Sequence, residues 1–133
     1  MSRIVISEFM DTDAVSRLTS AAETTYQADL VDRPDDLRRA VDGAEVLIVR
    51  NRTRVDAALL NAAKGLRAIG RLGVGLDNID LQACKERGIT VWPATGANDL
   101  AVAEYVITSA MMLLRGAYLA STRVAAGEWP RQS

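Results

Sequence analysis

Two glycines and the residues around them are the first candidates for chemistry in this sequence. Residues 70–80 read GRLGVGLDNID, with Gly73 and Gly75 one residue apart. A dinucleotide-binding fingerprint needs a third glycine and a helix that starts inside the loop. Here the third position is Asn78, and the next helix signal begins only after it. The loop therefore fails as a fingerprint, but the amides of Val74 and Gly75 could form a small nest for an anion. A tight turn that needs the glycines only for their φ angles is the alternative.

A second polar cluster follows the apolar run VLIV at 46–49. It consists of Arg50, Asn51, Arg52 and Thr53. Two guanidinium groups beside two smaller polar side chains can grip a carboxylate, a phosphate or a sulfonate. A solvated basic strand end is the alternative. Because both clusters are expected at one edge of the same sheet, we favour anion binding over the two simpler interpretations.

Strand and helix signals alternate along the chain. Short apolar or β-branched runs predict strands at 3–7, 24–28, 45–50, 66–70 and 89–92. Capping residues and apolar spacing predict helices at 13–22, 34–41, 56–64 and 80–87, and a long helix from 98 or 99 to about 126. This alternation indicates an α/β fold with a parallel sheet of about five strands flanked by helices. Ligands bind such sheets beyond the carboxyl ends of the strands. The segments expected to line the site are therefore 7–10, 50–53, 71–78 and 93–98.

Composition narrows the class of protein. The chain has 133 residues, of which 49% are hydrophobic and 25% charged, as expected of one globular domain. A net charge of −1 argues against nucleic acid or an anionic membrane as partner. One cysteine, Cys84, and no histidine exclude an internal disulfide and a zinc site, so no metal ligand is assigned. The most apolar stretch, 105–114, is about half of a membrane span, and no signal peptide is evident. We expect a soluble, cytoplasmic protein.

The segment 100–119 is apolar on nearly every side of the predicted long helix. A helix of this kind must be buried all round. It could be the central packing helix of the module. We favour packing against a partner outside the chain, which is either a second domain or a second copy. Packing against a second copy predicts a homo-oligomer.

Taken together, these segments resemble the D-isomer-specific 2-hydroxyacid dehydrogenases, in particular the phosphoglycerate dehydrogenase-like branch. The resemblance rests on VRNRT at 49–53, LLNAAKGLRAIGRLGVGLDNIDLQACKERGI at 59–89, NDLAVAEYVITSAMMLLR at 98–115 and GEW at 127–129. It implies that residues 1–97 form the flavodoxin-like substrate-binding domain. Residues 98–133 would be a hinge helix that leads to a nucleotide-binding domain outside this chain.

The resemblance also assigns residues. To the substrate it assigns Arg50, Asn51, Arg52, Val74, Gly75 and Asn98, and to the cofactor Thr53 and Val102. The glycine loop would hold the substrate carboxylate through backbone amides. Because Arg52 replaces a residue that is often small in the family, we expect a substrate with a second anionic group, such as a phosphate or sulfonate. The segment WPAT at 92–95 departs from the family's commoner Asn-x-Pro pattern, so the shape of this side of the substrate site stays open.

The reaction implied is hydride transfer between NAD and C2 of a D-2-hydroxyacid. In the family a histidine, a carboxylate and an arginine of the nucleotide-binding domain carry the catalysis. Since this chain has no histidine, no catalytic residue is assigned, and we expect a fragment or truncation that is inactive alone, with NAD bound mainly by the other domain. The alternative is a stand-alone, non-catalytic module for anion binding or oligomerisation. NAD or NADP, and the hydroxyacid itself, stay open.

Overall fold

The computed structural model describes residues 2–130, apart from the side chains of residues 117–119. Those side chains, at the end of the predicted apolar segment, and residues 131–133 of the predicted hinge lie outside the described part. The residues divide into two compact units, Met1–Thr95 and Gly96–Ser133. None of the helices described is both long and apolar enough to cross a bilayer.

The first unit is built on a sheet of five parallel strands. These are β1 (Arg3–Ile6), β2 (Glu23–Tyr26), β3 (Val46–Val49), β4 (Ala68–Arg71) and β5 (Thr90–Pro93). Their order in the sheet is β2-β1-β3-β4-β5, and each neighbouring pair is parallel. The predicted α/β class and parallel sheet are confirmed. The strand order reverses between β1 and β3, and in open α/β sheets ligands bind in a crevice outside the carboxyl ends of the strands at such a point.

Four helices connect the strands: α1 (Thr12–Ala21), α2 (Pro34–Ala40), α3 (Ala57–Ala62) and α4 (Leu81–Glu86). Aspartates cap three of them. The side chains of Asp11, Asp56 and Asp80 accept hydrogen bonds from amides in the first turns of α1, α3 and α4, which satisfies donors that have no partner within the helix. The sequence did not predict a short 3-10 helix, Leu30–Asp32, before α2.

Alternate strand residues separate the core into two layers. Val5, Leu47 and Val49 face a larger core, which α2, α3 and α4 cover. Ile6 and Ile48 face a smaller core with side chains of α1. Apolar residues on both faces explain why β3 reads as an uninterrupted apolar run. Both layers leave the carboxyl ends of β1, β3 and β4 at one edge.

The second unit contains α5 (Asp99–Arg115) and α6 (Ala117–Ala125). A long helix is present, but it does not continue to residue 126 as predicted. Gly116 lies between the two helices with φ +63°, a left-handed conformation that glycine adopts readily and that ends α5. No residue of α5 is buried; Leu113 and Leu114 are 76% and 82% exposed.

Candidate functional site

Glu8, two residues after β1, joins the chain after β1 to the loop after β3. Its side chain is 4% exposed. The carboxylate accepts hydrogen bonds from four successive backbone amides: Arg50 at 2.8 Å, Asn51 at 3.2 Å, Arg52 at 3.0 Å and Thr53 at 2.9 Å. The backbone of the loop after β3 therefore forms a nest for an anion, which was predicted for the glycine loop and not for this one, and the anion in it belongs to the protein.

The ionised form of Glu8 is favoured by this arrangement. Burial alone would raise the pKa of the carboxyl group, but the amides of Thr53, Arg50 and Arg52 outweigh it and hold the pKa below its usual value. The sequence placed Glu8 within the predicted lining segment 7–10 and gave it no role. An isolated acid after a buried strand was the available signal.

Thr53, the predicted cofactor contact, is the last residue of the same loop, residues 50–53. Its hydroxyl group and that of Ser7 are hydrogen-bonded at 2.9 Å, and the two residues are 2% and 0% exposed. The hydroxyl of Thr53 is therefore already used in fixing the loops after β1 and β3 to each other.

The arginines of this loop differ in their surroundings. The guanidinium group of Arg52 pairs with both carboxylate oxygens of Asp32, at the end of the 3-10 helix, with Nη1 at 3.3 Å from Oδ2. Asp32 is a partner that the sequence analysis missed. Arg50 is exposed, and among residues 2–130 no carboxylate forms an ion pair with it. A ligand anion would meet Arg50 free and Arg52 already paired.

The glycine loop follows β4, and its glycines make room for side chains. Gly73 has φ +151°, and a Cβ atom there would lie 1.6 Å from Nη1 of Arg71. At Gly75 a Cβ atom would lie 3.0 Å from a carboxylate oxygen of Asp77. The amide of Ala94, after β5, donates to the carbonyl oxygens of Arg71 and Gly73 at 3.1 and 3.0 Å. The loop is thus held in one conformation that only glycine at position 73 permits.

Arg71 is the positive group of this loop. Its half-buried guanidinium donates from Nη1 to the carbonyl oxygen of Leu72 at 3.0 Å, while its buried Nε has no partner. Within the described part of the chain Arg71 forms no ion pair, and the amides of Val74 and Gly75 donate to no protein atom. A guanidinium without a counter-ion beside free amides can bind an anion. Arg71 lies in the predicted lining segment 71–78, but no role was predicted for it; an arginine two residues before Gly-x-Gly was the signal.

Asn78 joins the two loops. Its side-chain Nδ2 donates to the backbone carbonyl oxygens of Thr53 at 2.8 Å and Arg50 at 3.4 Å. The backbone carbonyl oxygen of Asn78 accepts from the amide of Val55 at 2.8 Å. The residue that replaces the third glycine of a nucleotide fingerprint therefore fastens the glycine loop to the loop after β3. The two predicted anion-binding clusters do lie side by side.

The remaining predicted site residues belong to the second unit. Asn98 is the N-cap residue of α5, makes no side-chain capping bond and is exposed. Val102, in the first turns of the same helix, is 50% exposed. Their expected grouping with the loops after β3 and β4 stays a prediction.

Among residues 2–130, Cys84 is buried and the acidic side chains form no metal-binding group. Cys84 is 1% exposed in the larger core, and burial raises the pKa of its thiol. Within residues 2–130, no three His, Cys, Asp or Glu side chains are grouped so that they could hold a metal ion.

Comparison with known proteins places this geometry in a family. The family described as "D-isomer specific 2-hydroxyacid dehydrogenase, catalytic domain" matches residues 4–128. An (S)-sulfolactate dehydrogenase of Chromohalobacter salexigens is 57% identical over 133 residues, which are 100% of this chain and 43% of that protein. The chloroplastic D-3-phosphoglycerate dehydrogenase 2 of Arabidopsis thaliana is 38% identical over 130 residues, 97% of this chain and 20% of that protein.

Solved structures agree with the fold. D-lactate dehydrogenase of Aquifex aeolicus, complexed with NAD and lactic acid, matches with a TM-score of 0.82 at 22% identity, over 99% of this chain and 39% of that one. An NAD+-bound 3-phosphoglycerate dehydrogenase of Entamoeba histolytica matches with a TM-score of 0.66 at 27% identity, over 84% and 39%. The chain spans less than half the length of each of these four proteins. With a family match from residue 4 to residue 128, the chain belongs to the D-isomer specific 2-hydroxyacid dehydrogenase family.

Proposed function

We propose that this chain is the substrate-binding part of an NAD-dependent dehydrogenase that acts on a D-2-hydroxyacid with a second anionic group. The observation that carries the proposal is the guanidinium of Arg71, which has no carboxylate partner in the described residues and lies against a glycine loop with free amides. The family membership supplies the reaction class, and the loop supplies an anion site where the substrate's carboxylate would bind.

The carboxylate of the substrate would accept hydrogen bonds from the amides of Val74 and Gly75 and face the charge of Arg71. Backbone amides and a guanidinium bind an anion without a proton transfer. The second anionic group would face the exposed side chains of Arg50 and Asn51, and Arg52 would share its charge between that group and Asp32. Asn98 would complete the substrate's surroundings from α5.

A sulfonate is the second anion that we favour. The relative with 57% identity over the whole of this chain is named an (S)-sulfolactate dehydrogenase, and two arginines within three residues after β3 suit a strong, permanently ionised acid. A phosphate is the alternative, since relatives named phosphoglycerate dehydrogenases match at lower identity.

The nicotinamide cofactor would accept the hydride released from C2 of the substrate. Its nucleotide does not suit the glycine loop, because no helix starts inside the loop and α4 begins only at Leu81. The residues proposed to touch the cofactor are Val102, which is half exposed, and Thr53. The hydroxyl group of Thr53 also holds the loop after β3 to Ser7. With no histidine in the sequence, the acid–base group would come from outside these residues.

A different class of function is favoured by one observation. Apolar side chains of α5 are exposed around the helix, among them Tyr105 at 75% and Ile107 at 64%. Exposed apolar surface of this extent favours association, so a homo-oligomeric, non-catalytic anion-binding module is the second candidate. Sedimentation of the 133-residue chain as a monomer, without binding of a hydrophobic dye, would count against it.

The first experiment is to sequence the gene in frame beyond the codon for Ser133. A continuation that contains Gly-x-Gly-x-x-Gly and, later, a histidine is expected for the dehydrogenase. A stop codon at that point would contradict the enzyme and leave the binding module. The product of the complete gene is then assayed with NAD and sulfolactate, with lactate as the singly charged comparison; equal kcat/KM for both substrates would overturn the second anion.

A further inference from the structure

Glu8 is a buried carboxylate to which the proposed function gives no part. All four hydrogen bonds that it accepts come from one loop, residues 50–53, and it forms no ion pair within residues 2–130. Successive amides that converge on one anion are the same device that a protein uses to bind an anionic ligand. In this device the protein supplies the anion itself.

We propose that Glu8 is a positioning residue that determines which way round the substrate binds. By filling the nest of residues 50–53, Glu8 leaves the amides of Val74 and Gly75 as the place for the substrate carboxylate. It also holds the backbone of the loop so that Arg50 and Arg52 meet the other end of the substrate. The proposal rests on the proposed function and adds the residue that orients the substrate within it.

The numbers of donors explain why an occupant is needed. Residues 50–53 direct four amides at one point, whereas the glycine loop offers the amides of Val74 and Gly75 beside Arg71. If the four-amide nest were empty, it would compete with the glycine loop for any carboxylate that approaches this edge of the sheet. The two loops are fastened to each other through Asn78, so a shift of one loop would also move the other.

Two substitutions separate positioning from simple structural support. Glu8→Ala empties the nest and leaves room for a small carboxylate from solution. Glu8→Gln keeps the size of the side chain but offers one acceptor oxygen and an NH2 group, which faces amide donors. Val41→Ala is the matched control for lost stability, because Val41 is 0% exposed in the larger core, lies at the end of α2 and has its backbone hydrogen bonds with Leu37 and Ala44, not with either loop.

The kinetic test uses the complete enzyme with NAD, sulfolactate and lactate. We expect Glu8→Ala to raise the KM for sulfolactate by about tenfold or more, and that for lactate by less, because the loop that meets the second anion is released. Formate should restore the KM of Glu8→Ala, but chloride at equal ionic strength should not, and Glu8→Gln should not respond to formate. Val41→Ala should lower the amount of active enzyme and leave both KM values unchanged. A Glu8→Ala enzyme that behaves like Val41→Ala, or that formate does not restore, would overturn the proposal.

A second readout needs no turnover. In amide NMR spectra of the 133-residue chain, formate, which has no second anionic group, should shift the signals of Val74 and Gly75 and leave those of residues 50–53 in place. In Glu8→Ala, formate should also shift residues 50–53. If these signals do not respond in Glu8→Ala, the positioning proposal is wrong, even where the enzyme is active. If wild-type enzyme oxidises neither acid but the signals respond as expected, the proposed substrate is wrong and the role of Glu8 in keeping anions out of the nest is upheld.

Discussion

The loop after β3 and the loop after β4 are made from similar groups, yet they are in opposite states. Both present backbone amides and an arginine at the same edge of the sheet. In residues 50–53 the amides bind Glu8, and Arg52 is paired with Asp32. In the glycine loop the amides of Val74 and Gly75 are free of protein partners in the described chain, and Arg71 has no counter-ion there. An internal carboxylate completes the first loop, whereas the second has no such partner within residues 2–130 and, in the proposed function, takes an external anion.

The largest effect is expected from Gly73→Ala. A Cβ atom would lie 1.6 Å from Nη1 of Arg71, so the guanidinium must move. The loop is strained as well, because φ +151° is a conformation that residues with a side chain rarely adopt. We expect binding of sulfolactate to weaken by about a hundredfold, equivalent to about 2.7 kcal/mol, measured by titration calorimetry. Gly88→Ala is the matched control, because Gly88 also has positive φ, at +69°, but open space around it. Equal affinities of the two variants would remove the glycine loop from the site.

Arg71→Met should have the next largest effect. It keeps the length of the apolar stem and removes the charge that faces the free amides. We expect the affinity for sulfolactate, and for lactate as well, to fall by about tenfold, about 1.4 kcal/mol, because both acids carry the carboxylate. Arg67→Met is the control, since the side chain of Arg67 is 79% exposed and pairs with Glu45. Loss of sulfolactate binding alone would place the second anion, not the carboxylate, at Arg71.

Acid should destabilise the loop after β3, which binds Glu8, before it affects the glycine loop after β4. The pKa of Glu8 is lowered in the folded protein, so its contribution to the free energy of unfolding is fully present above the pKa of an unfolded glutamate, about 4.3. That contribution is lost as pH falls through the lower, folded value. We expect Glu8→Gln to be less stable than wild type at neutral pH, with the difference shrinking in acid. Far-UV circular dichroism in urea, which follows the loss of the helices at any pH, measures the free energy of unfolding. A difference that stays constant down to acid pH would contradict this role of Glu8.

The smallest effect is expected from Asp32→Asn. It releases Arg52 from its ion pair, which is more than half exposed on both sides and therefore weak. We expect about threefold tighter binding of sulfolactate and unchanged binding of lactate. Asp35→Asn, which breaks the comparably exposed pair with Arg38, should change neither. Tighter lactate binding would mean that Arg52 meets the carboxylate end of the substrate instead.

Much of this edge could be predicted from local sequence. Some signals depend only on residues that are close in the sequence. They are the apolar run at 46–49, the glycines at 73 and 75 and the capping aspartates, which indicate the strands, the loop and the helix starts. The residues that were missed act at a distance. Glu8 and residues 50–53 are more than forty positions apart, as are Ser7 and Thr53, and Arg52 and Asp32 are separated by twenty. No local pattern announces such partners.

The sequence by itself determined the parallel α/β sheet, the family and the positions of the two loops with candidate anion-binding groups, because periodicity, capping and glycine conformations are properties of short segments. Only the tertiary structure decided which of the two loops is open. The order β2-β1-β3-β4-β5 brings the end of β1 beside the end of β3, so that Glu8 reaches the amides of residues 50–53. Among the described residues, the same packing leaves Arg71 and the amides of Val74 and Gly75 without a carboxylate of their own. Whether an amide is free depends on what the fold brings next to it, and that cannot be read from the residues on either side.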